Sequence, residues 1–229
     1  MPTTAVLLDI EGTTTSISFV FDTLFPYAAT HLADFLATHR ADPAVMAACD
    51  IVRKDALPDE QKLTADQQTL AIVRRQMAAD TKATGLKQLQ GLIWKHGYES
   101  GAIKGHVYAD VPTCFATWRQ QKRAIAIYSS GSVLAQKLLF RHSTTGDLTG
   151  YLAGYYDTTS GSKRDASSYL TIANAWGITP SDITFCTDQP AEAEAAAAAG
   201  MVAVILMRPG NAPLQAGLKF PVHADLVRV

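Results

Sequence analysis

Ala5-Val6-Leu7-Leu8-Asp9-Ile10-Glu11-Gly12-Thr13 decides how the chain is read: four apolar residues run straight into two carboxylates and a glycine. An apolar run without polar alternation predicts a strand buried on both faces, as in a parallel sheet. Three further runs, at 124–128, 183–186 and 202–207, repeat the pattern between polar or turn residues. Helical patterns lie among them. One covers 133–140, a second covers 167–176 with apolar Leu170, Ile172, Ala173 and Trp176, and an alanine–glutamate stretch over 192–199 is closed by Gly200. Alternating strand and helix predicts an α/β fold with an open, doubly wound parallel sheet.

The first two runs, at 5–8 and 124–128, lie much farther apart than the later ones. The piece between them reads as helical, with amphipathic patterns over 24–36, 67–77 and 86–94. The expected organisation is therefore an α/β core of residues 1–15 and 105–229, with a helical cap inserted at 16–104.

Of the 229 residues, 48% are hydrophobic and 18% charged, which is ordinary for a globular protein able to bury a full core. A formal net charge of -1 argues against a nucleic-acid or membrane-surface partner, so an anionic substrate has to be held by a local positive site. Cys49, Cys114 and Cys186 are odd in number and widely spaced. They suit neither a disulfide framework nor a zinc site and are expected to be free and buried. No apolar run is long enough for a signal peptide or a membrane span, and a cytoplasmic location is expected.

Ligands of open α/β sheets bind outside the carboxyl ends of the strands, and those ends carry chemistry here. The first run ends in Asp9 and Glu11, the second in Ser129-Ser130-Gly131-Ser132, the third in Thr187-Asp188, and Lys163 precedes the helix leading to the third. While the chain stays extended, Asp9 and Glu11 point to the same side. A carboxylate nucleophile such as Asp9 can attack phosphorus and split a hydrolysis into two easier steps. A second carboxyl, Glu11, can protonate the leaving oxygen and then activate water. Two anions repel, so a divalent cation is needed between them; magnesium takes carboxylate, phosphate and water oxygens, and Asp9 and Asp188 suit it. Lys163 can neutralise the remaining charge, and Ser129 with the N–H groups after it can cradle an anion.

Each piece has an ordinary reading as well. Acidic residues often sit in turns after strands, Ser-Ser-Gly-Ser often caps a helix, a lysine is usually solvated, and Asp188 can begin a turn. Four such pieces in this order, each at a strand end or helix start, favour the joint reading.

At these residues the chain resembles the haloacid-dehalogenase-like phosphohydrolases, whose first motif is normally Asp-x-Asp followed by Ser/Thr, Lys and acidic motifs. Glu11 in place of the second Asp is similar to the enolase-phosphatase family of methionine salvage. So are Leu24-Phe25-Pro26-Tyr27, residues 89–94, Tyr128 to Ser132, residues 157–163, Ser168-Tyr169 and Arg208-Pro209-Gly210-Asn211. The resemblance implies enolisation and then dephosphorylation of 2,3-diketo-5-methylthiopentyl 1-phosphate to an acireductone. It implies one magnesium held by the side chains of Asp9 and Asp188 and by at least the backbone carbonyl of Glu11. Ser129 and Ser130 would bind substrate, Lys163 would contact phosphate, and a monomer would shield its site with its own cap.

Phe21 stands where a basic residue is expected in that family, and Gln189-Pro190 makes an unusual turn after Asp188. Glu192 keeps a carboxylate where it could orient a metal-bound water, although a helix N-terminus favours an acid there anyway. Glu11 is the nearest candidate base for enolisation. His31, His39, His142 and His223 read as surface or structural histidines. Trp94, His96 and Tyr98 could line a thioether pocket, but core packing is the ordinary role of such aromatics. Two alternatives stay open: another small-molecule phosphatase of the superfamily, and a catalytically silent binding module on the same fold.

Overall fold

The computed structural model describes residues 3–215 and 217–229. Among them, six strands form one sheet: β1 (Ala5–Leu8), β2 (Ala124–Tyr128), β3 (Gly154–Tyr156), β4 (Ile183–Thr187), β5 (Val202–Leu206) and β6 (Val222–His223). Every neighbouring pair is parallel, and the order is β3-β2-β1-β4-β5-β6. The chain builds outward from β1 to β3, then returns to place β4 on the other side of β1. That reversal opens a crevice at the carboxyl ends of β1 and β4, the place where such sheets bind ligands. The α/β, doubly wound parallel sheet expected from the sequence is present.

Eight α-helices accompany the strands among the described residues. They are α1 (Phe25–His39), α2 (Pro43–Arg53), α3 (Ala65–Ala78), α4 (Thr84–Glu99), α5 (Asp110–Gln120), α6 (Val133–Arg141), α7 (Ala166–Trp176) and α8 (Pro190–Ala198). Two compact units divide the chain: residues through Val20 together with Lys104–Val229, and Phe21–Ile103.

In the sheet unit, β1 is fully buried along its length, as its unbroken apolar run requires. Ala5, Leu7, Ala126, Tyr128, Ile183 and Phe185 alternate onto one face and pack with Tyr169, Ile172 and Ala173 of α7 and Ala195 and Ala196 of α8. Leu170, expected among the apolar positions of α7, is instead exposed. The alanines of α8 let it lie close to the sheet. Its end is a Schellman turn: Gly200 at φ +91 donates to Ala197 O and Met201 donates to Ala196 O. Ser16 stays with this unit because its N–H donates to His106 Nδ1 at 3.1 Å.

The helical unit packs α4 against α1 and α2. Gly85 is needed there, since a Cβ would stand 2.7 Å from the backbone nitrogen of Val52. Trp94 is buried and donates to Leu24 O at 2.8 Å, and Tyr98 is buried too, so both aromatics serve packing. Phe21 lies in a π-helix, Phe19–Leu24, with its ring exposed and edge-on to Phe25. All three cysteines are free and buried. Among the described residues no helix is long and apolar enough to cross a membrane.

Candidate active site

The carboxyl end of β1 is held on both sides. Leu8 is in register with Ile127 of β2 and Cys186 of β4, and Asp9 extends the ladder by donating to Cys186 O at 2.9 Å. The chain then bends sharply: the N–H groups of Thr13, Thr14 and Thr15 all turn onto Ile10 O. The alternation expected of an extended Asp9–Glu11 segment therefore stops at Asp9, because the bend satisfies backbone donors that have no further strand to pair with. Glu11 sits half-buried in this bend, its backbone bridged to Thr15. Gly12 takes φ +69, and a Cβ there would meet Asp188 Oδ2 at 2.7 Å, so only glycine fits beside that carboxylate.

Lys163 is 9% exposed and lies between two carboxylates, with Nζ 2.6 Å from Asp9 Oδ1 and 2.7 Å from Glu192 Oε2. Burial works against its charge, but the charges of Asp9 and then Glu192 more than offset this and hold the ammonium above the usual lysine range. Its loop is pinned by buried hydroxyls: Tyr128 OH donates to Gly161 O, Ser168 Oγ to Ser162 O and Tyr169 OH to Lys163 O. The lysine is thus placed by three backbone anchors as well as by charge.

The Asp9 carboxylate is oriented unevenly. Oδ1 accepts from Lys163 and from the Ile10 N–H at 2.7 Å. Among the described residues Oδ2 accepts from the Thr187 hydroxyl alone, at 3.3 Å, and that hydroxyl has a closer acceptor in Glu192 Oε2 at 2.7 Å. One proton cannot serve both, so Oδ2 keeps its lone pairs available. Glu192 is pushed up to about 7 by burial and by the Asp9 charge, against the pull of Lys163. Asp188 is pushed up to about 6 by burial and then by the Asp9 charge; Gln189 Nε2 donates to its Oδ2 at 2.8 Å. Two carboxylates thus share one ammonium, and Asp188 is a third anion within reach of the Asp9 charge.

Ser129 is buried at the end of β2, its N–H on Tyr156 O and its hydroxyl accepting from the Gly131 N–H. Ser130 is exposed. The expected anion cradle is partly filled by the protein's own acceptors: Val133 N–H donates to Asp157 Oδ2 and Ala135 N–H to Ser132 Oγ. Gln136 holds the turn by donating to the carbonyls of Gly131 and Tyr156.

Glu192, which the sequence offers either as an acid orienting a metal-bound water or as a helix-start acid, is a direct partner of Lys163. Thr187, Gln136, Arg208 and Asn211 also shape the site. Arg208 donates to Thr13 O and pairs with both oxygens of Asp110 while lying 4.3 Å over the Tyr108 ring. Asn211 donates to Gly12 O. The Arg208-to-Asn211 motif was the available signal; its reach back to Thr13 and Gly12 belongs to the tertiary fold.

A family model described as haloacid dehalogenase-like hydrolase matches residues 3–200. A protein named enolase-phosphatase E1 from Synechococcus elongatus is 48% identical, over 96% of this chain and 95% of its own. One of the same name from Pseudomonas syringae pv. tomato is also 48% identical, over 92% of both chains. The crystal structure of the UTR4 protein from Saccharomyces cerevisiae superposes with a TM-score of 0.83 at 37% identity, covering 99% of this chain and 100% of that one.

Proposed function

We propose that this chain, which belongs to the haloacid dehalogenase-like hydrolases and within them to the enolase-phosphatase E1 proteins, converts 2,3-diketo-5-methylthiopentyl 1-phosphate to an acireductone by enolisation and then dephosphorylation. As a member of that family it is a phosphoric monoester hydrolase. The observation that carries the assignment of roles is the Asp9–Lys163–Glu192 cluster at the sheet's reversal point.

In this reading Asp9 attacks phosphorus while Lys163 fixes its Oδ1. The bond from phosphorus to the substrate oxygen breaks, Glu11 gives that oxygen a proton, and an aspartyl-phosphate remains. Glu11 then takes a proton from water, whose oxygen attacks phosphorus and frees Asp9 and inorganic phosphate. Ser129 and Ser130 bind substrate, and Lys163 offsets phosphate charge.

The residues present fit a magnesium ion. Among the described residues no group of three or more His, Cys, Asp or Glu side chains is arranged for a metal. A pair of carboxylates, completed by backbone, phosphate and water oxygens, is nevertheless what magnesium ordinarily takes. Asp188 lies beside a second anion, Asp9, whose one ammonium is shared with Glu192, so a cation there relieves their repulsion. Asp9, Asp188 and the Glu11 carbonyl would hold it. When bound it would polarise the diketone and screen nucleophile from phosphate.

The test supplies the diketo phosphate and magnesium and follows acireductone absorbance and free phosphate together. Both signals are expected, and Asp9→Asn should abolish phosphate release. Phosphate without a preceding enol signal would leave a simple phosphatase, no phosphate at all would leave a silent module, and near-normal turnover by Asp9→Asn would remove Asp9 as nucleophile.

A further inference from the structure

The Arg208-Pro209-Gly210-Asn211 turn follows β5, and one atom in it is unexplained by the reaction above. The Asn211 side-chain amide donates twice, from Nδ2 to Gly12 O at 2.9 Å and to Leu206 O at 3.1 Å. These two carbonyls fix which way the amide faces, because the flipped orientation would set Oδ1 against two other acceptors. Oδ1 is therefore aimed away from them. It is buried and has no hydrogen-bond partner among the described residues. A buried acceptor without a donor is costly, and such an atom in a native site calls for a water or ion to complete it.

The surroundings of Oδ1 say what completes it. The point where a Cβ would stand on Gly12 is 2.9 Å from Asn211 Oδ1 and 2.7 Å from Asp188 Oδ2. The orphan oxygen and the carboxylate thus flank the same bare glycine, one residue after Glu11. No lysine or arginine ion pair reaches Asp188 among the described residues; Gln189 is its side-chain donor. Two oxygen acceptors packed against the same glycine, one of them without a donor, suit a hydrated cation nearby better than an apolar group or an anion.

We propose that Asn211 Oδ1 accepts a hydrogen bond from the hydration shell of the magnesium at Asp9 and Asp188. Asn211 is then a positioning residue with two ends: Nδ2 sets the Gly12 peptide next to Glu11, and Oδ1 fixes a water of the cation. Magnesium gives up its waters reluctantly and usually keeps several, so acceptors just beyond its direct ligands help set its affinity. The inference rests on the magnesium reading of the site.

Isothermal titration of the full chain with magnesium chloride, without substrate, tests it on wild type, Asn211→Ala and Asn211→Asp, with apo melting temperatures recorded. Asn211→Ala should weaken magnesium binding about tenfold or more, the range found for partners one shell out from a metal. Asn211→Asp keeps an acceptor oxygen but loses both amide donations, and it should bind at least as tightly as wild type while melting lower. If the residue only braces the Gly12 carbonyl, Asn211→Asp will bind as poorly as Asn211→Ala, which overturns the proposal. Unchanged affinity in Asn211→Ala also overturns it. Should the alanine variant not fold, a tenfold loss in Asn211→Asp against wild type is decisive in the same direction. Wild type that takes up no magnesium overturns the metal reading and this inference together, whereas wild-type binding with an unaffected alanine variant sinks the inference alone.

Discussion

The two units of the molecule treat charge in opposite ways. In the sheet unit the ion pairs are internal: the Lys163, Asp9 and Glu192 side chains are 9%, 3% and 12% exposed, and Arg208 and Asp110 are 4% and 14%. In the helical unit Lys62–Asp59, Lys82–Asp80 and Lys95–Glu99 stand largely in water, while Arg53–Asp50 and Arg75–Glu60 are part-buried. A surface pair gains little because water screens it and ordering two long side chains costs entropy. A buried pair loses hydration and offsets that loss only with good geometry and complete hydrogen bonding. The sheet unit accepts this cost where β1 and β4 present their carboxyl ends, although well-packed apolar residues often stabilise as much as a buried ion pair. The proposed chemistry supplies the reason to keep charges there.

The strongest way to break the contrast is Lys163→Met. Asp9 and Glu192 would then face each other, buried and without the ammonium they share. Removing one member of a buried ionic group costs about 3–5 kcal/mol, and urea unfolding at neutral pH should show a loss of that order together with loss of phosphate release. A variant within about 1 kcal/mol of wild type would mean that the cluster is as well hydrated as the helical unit's surface pairs, and would remove the comparison.

Gly12→Ala comes next. It introduces a positive-φ side chain at +69, and a Cβ 2.7 Å from Asp188 Oδ2. The backbone strain alone is about 1–3 kcal/mol, and the displaced carboxylate should lower phosphate release at least tenfold. The melting temperature and the phosphate assay separate the two effects. Unchanged turnover would show that Asp188 can move aside without loss.

These residues also mark what was legible. The strands β1, β2, β4 and β5 could be read because burial on both faces writes an unbroken apolar run. β3 and β6 lie at the sheet's edges with three and two residues, half-buried or exposed, and carry no such run. α2 has a start signal in Asp42 before Pro43, with Asp42 accepting from the Ala44 N–H, and it falls between the amphipathic stretches at 24–36 and 67–77. Asp9 and Asp188 stand just past strand ends and Lys163 just before a helix, so their order could be read along the chain. The hydroxyls of Tyr128, Ser168 and Tyr169 that fix the lysine loop could not, since each reaches a carbonyl through the tertiary fold. Glu192 could be read only as far as its carboxylate: a helix start explains an acid there, and the packing is what brings Lys163 to it.

His106 extends the comparison to pH. Its Nδ1 accepts from the Ser16 N–H, so the neutral ring is the one that fits, and burial lowers its pKa from the usual 6.5. The unfolded chain binds the proton more readily, so stability contributed by the neutral ring is present above pH 6.5 and is lost as pH falls toward the lowered folded value. His106→Asn keeps an acceptor near the same position and removes the titration. Urea midpoints measured between pH 8 and pH 5 should fall less steeply for the variant than for wild type. Parallel slopes would place the acid sensitivity elsewhere in the buried charge network.

The smallest effect is expected at Lys62, and it sharpens the contrast from the other side. Its ammonium is 2.6 Å from Asp59, as close as Lys163 is to Asp9, yet the two side chains are 75% and 92% exposed. Distance alone would rank the two pairs equal. Solvation ranks them far apart, because water competes for both Lys62 and Asp59 and salt screens what attraction is left. Lys62→Ala should therefore shift the melting temperature by less than about 2 °C, with or without added salt. Phosphate release should be unchanged. A loss comparable to that of Lys163→Met would show that geometry outweighs burial in this protein, and the separation of its charges into solvated and functional sets would have no physical basis.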